Sequence, residues 1–352
     1  MTNSKLSFRP SHHRHEAILM AWPGSQNLNY TRQEISSLKT ELTAIATTIS
    51  NYETVTLLVH SSDISEAETA FRNCCGTYGV NIETTDTADL ESWMRVVAPV
   101  FVFADGSSHS GYYGIDFNFN GWGGRYPSTG NAHFARQFLA SRGIPRIQTP
   151  LVLEGGALET DGEGTLLLTE SSVINPNRNP NVNRETIEHE LCWLLGVSKI
   201  IWVPGLKDHE VTDGHIDGWA RFVAPGKVVL HYPGPNKRSL TPVYNKNKEI
   251  LSQATDASGR KLELVDLPGA ALESPEPVAP DLSLEYVNYL LVNGAVIMPG
   301  FGDRQDDRAR NIVQALFPER KVVQVYIKTI AFAGGGIHCV TQEIPGKRDK
   351  SM

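Results

Sequence analysis

The chain has 352 residues, 40% of them hydrophobic and 20% charged, which excludes a disordered chain and suffices for one large core or two moderate ones. Its formal net charge is -7 and no run of lysine or arginine occurs, so no nucleic-acid or anionic-membrane surface is expected. A mildly acidic protein suits a cationic small molecule.

The opening stretch, MTNSKLSFRPSHHRHEAILMAWPG, lacks the continuous apolar core of a signal peptide, and no later stretch is apolar for long enough to cross a bilayer. A cytoplasmic protein is expected. His12, His13 and His15 have no further ligands at metal spacing and read as solvated surface. In TRQEISSLKTELTAIATTIS, residues Ile35, Leu38, Leu42, Ile45 and Ile49 recur at helical spacing, and ETVTLLVH follows as a strand. Cys74 and Cys75, near a helix end, read as structural. With Cys192 and Cys339 they are too few and too irregular for a disulfide framework or a paired-cysteine zinc site.

The alternation then repeats. NAHFARQFLASRG, RETIEHELCWLLG, PVYNKNKEILSQAT and DDRARNIVQALF are helical candidates, and SKIIWVPG, KLELVDLP and KVVQVYI are strands. An α/β protein of several similar units is predicted rather than a doubly wound nucleotide fold, because no GxGxxG opens an early helix. Four short motifs mark a pitch: SWMR at Trp93, LEGG at Glu154, GHIDG at His215 and GGGIHC at Cys339 are spaced by 61, 61 and 124 residues. The last interval is nearly twice the others, so one unit repeated about an axis would bring these turns into one pocket.

Such a pocket holds a thiol, an imidazole and two carboxylates. A thiol of ordinary pKa, about 8.5, is mostly protonated at neutral pH and needs a base or a positive charge beside it. His338 is a poor base for Cys339, because KVVQVYIKTIAF reads as a strand leading to them and adjacent side chains of an extended segment point to opposite faces. His215 is the better candidate, with Glu154 to orient it. In GHIDG, an extended segment would turn His215 and Asp217 to the same side, and the charge of Asp217 asks for a cation such as a planar guanidinium. The glycines after Glu154 and before Cys339 permit close approach to a ligand. Singly, each residue has a bland reading: a buried cysteine, a satisfied histidine, a turn acid.

At these residues the sequence resembles the agmatine deiminases, and more broadly the agmatine and bacterial peptidylarginine deiminase group. The likeness is carried by MAWPG, SWMR, FNGWGG, LEGGALETDGEGTLLLTESSVINPNRNP, DGHIDGWARFVAPGKVVL, MPGFGD, LFPERKVV and GGGIHCVTQEIP. The resemblance implies the pentein fold, an α/β propeller of five pseudo-symmetric ββαβ-type units, as one catalytic domain over residues 1–352. It implies chemistry without cofactor or metal. Cys339 would attack the guanidinium carbon, His215 would protonate departing ammonia and then activate water, Glu154 would orient His215, and Asp217 would bind the guanidinium. Trp93 and Trp122 would shape the pocket. With agmatine the product would be N-carbamoylputrescine, a step toward putrescine, and the family often forms homo-oligomers.

One position departs from the pattern. The family stretch looks like D-x-W-x-R-D-x-G-P, whose last aspartate is a second carboxylate for the guanidinium; here ESWMRVVAP puts Glu91 at the first acid and Val96 at the last. Losing one partner of a buried charge pair costs about 3 to 5 kcal/mol, or about two to four powers of ten. Three readings follow: an agmatine enzyme in which Glu91 reaches in, the same chemistry on another guanidine or amidine (peptidylarginine included), or a non-enzymatic relative that binds a ligand.

Overall fold

The computed structural model describes residues 6–24, 29–72, 76–87, 89–104, 111–127, 129–233, 240–271 and 282–346; Cys74 and Cys75 lie outside them. The helices arise where the apolar period is 3.6. Helix Arg32–Ile49 buries Ile35, Leu38, Leu42, Ile45 and Ile49 along one face, and Thr31 and Glu34 close its first turn as a reciprocal capping box. Helices Asn131–Ser141, Arg184–Leu195, Thr241–Gln253 and Asp306–Leu316 fall on the other four predicted segments. Gly196 ends the second of these in the left-handed region, at φ 66°, where a glycine carries no steric penalty.

Each of these helices connects two strands of one sheet, and the described strands form five sheets. The plan is the same in all. A middle strand pairs antiparallel with a short partner on one side and parallel, across the helix, with a strand on the other. The middle strands are Tyr112–Asp116, Thr165–Thr169, Lys227–Tyr232, Ala295–Gly300 and His15–Ala21. Their antiparallel partners are Val100–Ala104, Glu159–Thr160, Ala220–Ala224, Leu290–Val292 and Gln342–Pro345. Covered on both faces, Thr165–Thr169 and Ala295–Gly300 are buried at every residue, hence their unbroken apolar runs. The fifth sheet is built from both ends of the chain, since Gln342–Pro345 pairs with His15–Ala21. This fivefold α/β plan is the pentein fold. The first and fifth sheets each add an outer strand, Leu6–Phe8 and Val80–Thr85.

Two sequence expectations fail locally. The strand expected to run through KVVQVYIKTIAF stops at Tyr326, and Thr329–Phe332 is a short helix whose first amide groups donate to the Glu41 carboxylate. An anion at a helix N-terminus outweighs the β-propensity of a Thr-Ile pair. His15 is not solvated surface: it is buried and lies 3.4 Å from Glu53, because it starts the central strand of the fifth sheet. Among the described residues no helix is long and apolar enough to cross a membrane.

Candidate active site

The turns that precede the first strands of the sheets carry the residues singled out by spacing. Trp93 and Val96 belong to the single helical turn Met94–Val97 and its cap, ahead of Val100–Ala104. Glu154 and His215 each precede a one-turn 3-10 segment, Gly155–Ala157 and Ile216–Gly218, and neither side chain is used to cap it. Cys339 sits in a turn ahead of Gln342–Pro345. His215 and Asp217 therefore share a site through a 3-10 turn and not through the extended segment expected from GHIDG.

These turns meet. His215 Nε2 lies 3.0 Å from Glu154 Oε2, and the other carboxylate oxygen accepts a 3.0 Å bond from Arg178 Nε. Arg178 is fully buried, and its Nη1 donates to Asp213 at 2.6 Å. Burial alone would lift the Glu154 carboxyl, but its bond to His215 and the charge of Arg178 hold it below the usual range. Burial likewise opposes the His215 cation, yet the bond and charge of Glu154, with Asp217 and Glu210 behind it, leave the imidazole pKa raised.

Asp217 is buried, and its Oδ2 accepts a 2.7 Å bond from His338 Nδ1 and stands 4.0 Å from Cys339 Sγ. Burial raises its pKa, with His215, Arg221 and Arg95 pulling the other way. The Cys339 thiol is pushed up, first by burial and then by the negative charge of Asp217. His338 is held neutral by burial, assisted by the Arg221, Arg95 and His215 charges. His338 thus serves Asp217 and makes no described bond to Cys339.

A cavity of about 420 Å³ opens over the thiol, bordered by Trp93, Val96, Trp122, His215 and Cys339. A smaller one of about 70 Å³ shares His215 and Cys339 and adds Asp217 and Asn288. Glu154 borders neither and acts through His215. Glu91 does lie on the pocket side; Asn29 Nδ2 donates to its Oε1 at 2.7 Å. Trp93 is fixed by a 3.1 Å bond from its indole nitrogen to the Tyr30 hydroxyl. Trp122 is held at φ 53°, a costly conformation for an aromatic residue, between Phe119 and Tyr126.

Two glycines are dictated by closeness. A Cβ on Gly156 would stand 2.7 Å from His215 Nδ1 and 2.9 Å from Asp217 Oδ2, and one on Gly335 would stand 2.4 Å from the Trp93 ring. Both positions must remain bare for the site to close.

Sequence reasoning missed three supports. Arg178 was hidden in NPNRNP, where nothing announces a buried cation. Arg95 is buried against Glu343 at 2.6 Å, and its backbone N–H donates to the Cys339 carbonyl. Asn288, ahead of Leu290–Val292, accepts from Cys339 N at 3.3 Å and donates to the Asp217 carbonyl at 3.4 Å. It is the fourth turn, concealed in the double interval between His215 and Cys339. Among the described residues no group of three or more His, Cys, Asp or Glu is placed to hold a metal ion.

Compared with known proteins, residues 7–345 match the family described as Porphyromonas-type peptidyl-arginine deiminase. The chain is similar to the agmatine deiminase of Ectopseudomonas mendocina, 33% identical over 94% of this chain and 93% of that one. It is similar to that of Pseudomonas aeruginosa, 33% identical over 95% and 94%. Among solved structures it is similar to the agmatine deiminase of Enterococcus faecalis, at 27% identity and a TM-score of 0.87, covering 98% of this chain and 97% of that one.

Proposed function

The chain belongs to the Porphyromonas-type peptidyl-arginine deiminase family, and from that premise we propose that it is a cytoplasmic hydrolase converting agmatine and water to N-carbamoylputrescine and ammonia. The observation that carries this reading is the convergence of a thiol and a carboxylate-bound imidazole on one tryptophan-walled cavity, with a second carboxylate 4.0 Å from the thiol in the smaller adjoining chamber.

The guanidinium enters with N–H groups directed at Asp217, which places its central carbon beside Cys339 Sγ. In the free site the thiol keeps its proton. The arriving cation offsets the Asp217 charge and favours the thiolate, whose proton passes to neutral His215. Sulfur attacks the guanidinium carbon, and the tetrahedral adduct expels ammonia as His215 returns the proton to the departing nitrogen. A thiouronium remains on Cys339. His215, neutral again, takes a proton from water as the hydroxyl adds to the same carbon. Collapse breaks the C–S bond, the hydroxyl proton is lost to solvent where the released ammonia takes it up as ammonium, and the imidazolium returns its proton to the thiolate, leaving the urea and the resting thiol. Glu154 steadies the imidazolium in both halves, and Arg178 keeps Glu154 ionised at a buried position.

The test is formation of ureido product and ammonia from agmatine, arginine and an arginine peptide by the unaltered chain and by Cys339→Ala. Turnover of agmatine that vanishes in a folded Cys339→Ala variant supports the assignment. Undiminished turnover by that variant refutes it, and preference for the peptide reassigns the substrate.

A further inference from the structure

The reaction proposed above engages Cys339, His215, Glu154 and Asp217, and leaves one buried titratable side chain touching them without a task. His338 is 2% exposed, and its Nδ1 is 2.7 Å from Asp217 Oδ2, the carboxylate oxygen that also faces the thiol. For the ionised Asp217 that the proposed reaction uses, which has no proton to donate, the shared proton sits on Nδ1 and Nε2 is an acceptor. Among the described residues Nε2 is buried with no hydrogen-bond partner. The ring borders a chamber of about 50 Å³, together with Arg95, Glu159 and Glu343, room for a water.

The backbone of His338 is held on both sides: its N–H donates to the Asn288 carbonyl at 3.2 Å and its carbonyl accepts from Arg95 Nε at 3.4 Å. With the backbone so placed and the residue buried, the ring adopts the orientation that presents Nδ1 to Asp217. Resting on the agmatine reading, we propose that His338 is a positioning residue for substrate: its Nδ1–H fixes the Asp217 carboxylate in the orientation and charge state that a guanidinium requires. The groups facing Asp217 agree with this need. His215, Arg221 and Arg95 favour its ionised form, while burial, Glu210 and the charge of Glu159 oppose it, so one strong donated bond weighs in the balance.

The amide nitrogen of an asparagine occupies the place of histidine Nδ1, and that of a glutamine the place of Nε2. The pair His338→Asn and His338→Gln therefore separates the donated bond from mere space filling. A bond to a charged group corresponds to a loss of about 10- to 100-fold when it is removed. Expected is kcat/KM for agmatine within about threefold of the unaltered chain in His338→Asn, and a loss of about 10- to 100-fold in His338→Gln. The loss falls mainly on KM, because Asp217 binds ground and transition states alike. The acidic side of the kcat/KM profile moves to higher pH, because the harder ionisation of Asp217 without its donor is added to the limb set by His215. The inference is overturned if both variants keep full kcat/KM, or if both lose it equally with an unmoved pH profile and a lower melting temperature, the mark of a purely structural role. Failure of the unaltered chain to turn agmatine over sinks the substrate reading instead, and is told apart by that control.

Discussion

Replacing Val96 by aspartate probes the one wall of the pocket where the family resemblance expects charge and the chain supplies none. Val96 is 6% exposed and borders the cavity with Cys339 and His215. The two side chains are close in size, so the change adds a carboxylate and little volume. In the free protein that carboxylate is a buried polar group without its ligand, at a cost of about 1 to 3 kcal/mol. Bound to a guanidinium, it completes a charge pair worth about 3 to 5 kcal/mol. The burial cost falls on the stability of the free variant and the pairing falls on binding, so kcat/KM rises by about two to four powers of ten. Initial rates of ureido formation from agmatine, with thermal melts in its presence and absence, measure both halves. Expected are a lower KM, a lower melting temperature for the free variant, and a larger stabilisation by agmatine than in the unaltered chain. A folded Val96→Asp variant with unchanged kcat/KM, beside an unaltered chain that already turns agmatine over well, would show that position 96 does not face the guanidinium and that Glu91 or Asp217 suffices.

Glu154→Gln removes the charge that raises the His215 pKa, so the burial effect prevails and the acidic limb of kcat/KM moves to lower pH while kcat falls about 100-fold; an unmoved limb refutes the pairing. The same variant probes stability, because a histidine whose folded pKa is raised contributes stability that is full below about pH 6.5 and is lost as pH rises through the folded value. Its denaturation free energy should therefore fall further behind the unaltered chain at acidic than at alkaline pH. With the Cys339 thiol pushed up by burial and Asp217, alkylation by neutral chloroacetamide should still be accelerating at about pH 9, and cationic chloroacetamidine should react faster; a plateau below neutrality contradicts this. Gly156→Ala should fold yet lose about 100-fold or more in kcat/KM, since its Cβ would stand 2.7 Å from His215 Nδ1; full activity would mean the turn relaxes freely.

The helices were legible because each buries one stripe at a period of 3.6, as Ile35 to Ile49 shows, and the site because its turns recur at nearly fixed spacing. Two kinds of information were not local. Which strand completes the fifth sheet depends on residues at opposite ends of the chain, Gln342 opposite Leu19, and no pattern within either segment states that pairing. The neutralising arginines are equally silent, because Arg178 and Arg95 look like surface residues until the carboxylates of Glu154 and Glu343 are placed beside them. The strand reading across Thr329–Phe332 failed for a related reason: the carboxylate of Glu41, far away in sequence, caps that helix.

The same nonlocality ties reactivity to occupancy. Asp217 helps suppress the thiolate of Cys339, 4.0 Å away, and in the proposed reaction it also offers the charge that draws a guanidinium. Before substrate binds, the thiol is protonated and a poor target for stray electrophiles or oxidants. In the proposed reaction a cation that satisfies Asp217 removes that share of the suppression, leaving burial, and sets the guanidinium carbon beside the sulfur. His215 loses Asp217's share of the charge that raises its pKa but keeps its bond to Glu154, and in the proposed reaction it moves the protons. A nucleophile activated by its own substrate needs no adjacent base permanently bound to it, which accounts for why His338, next in sequence to Cys339, is committed to Asp217 instead.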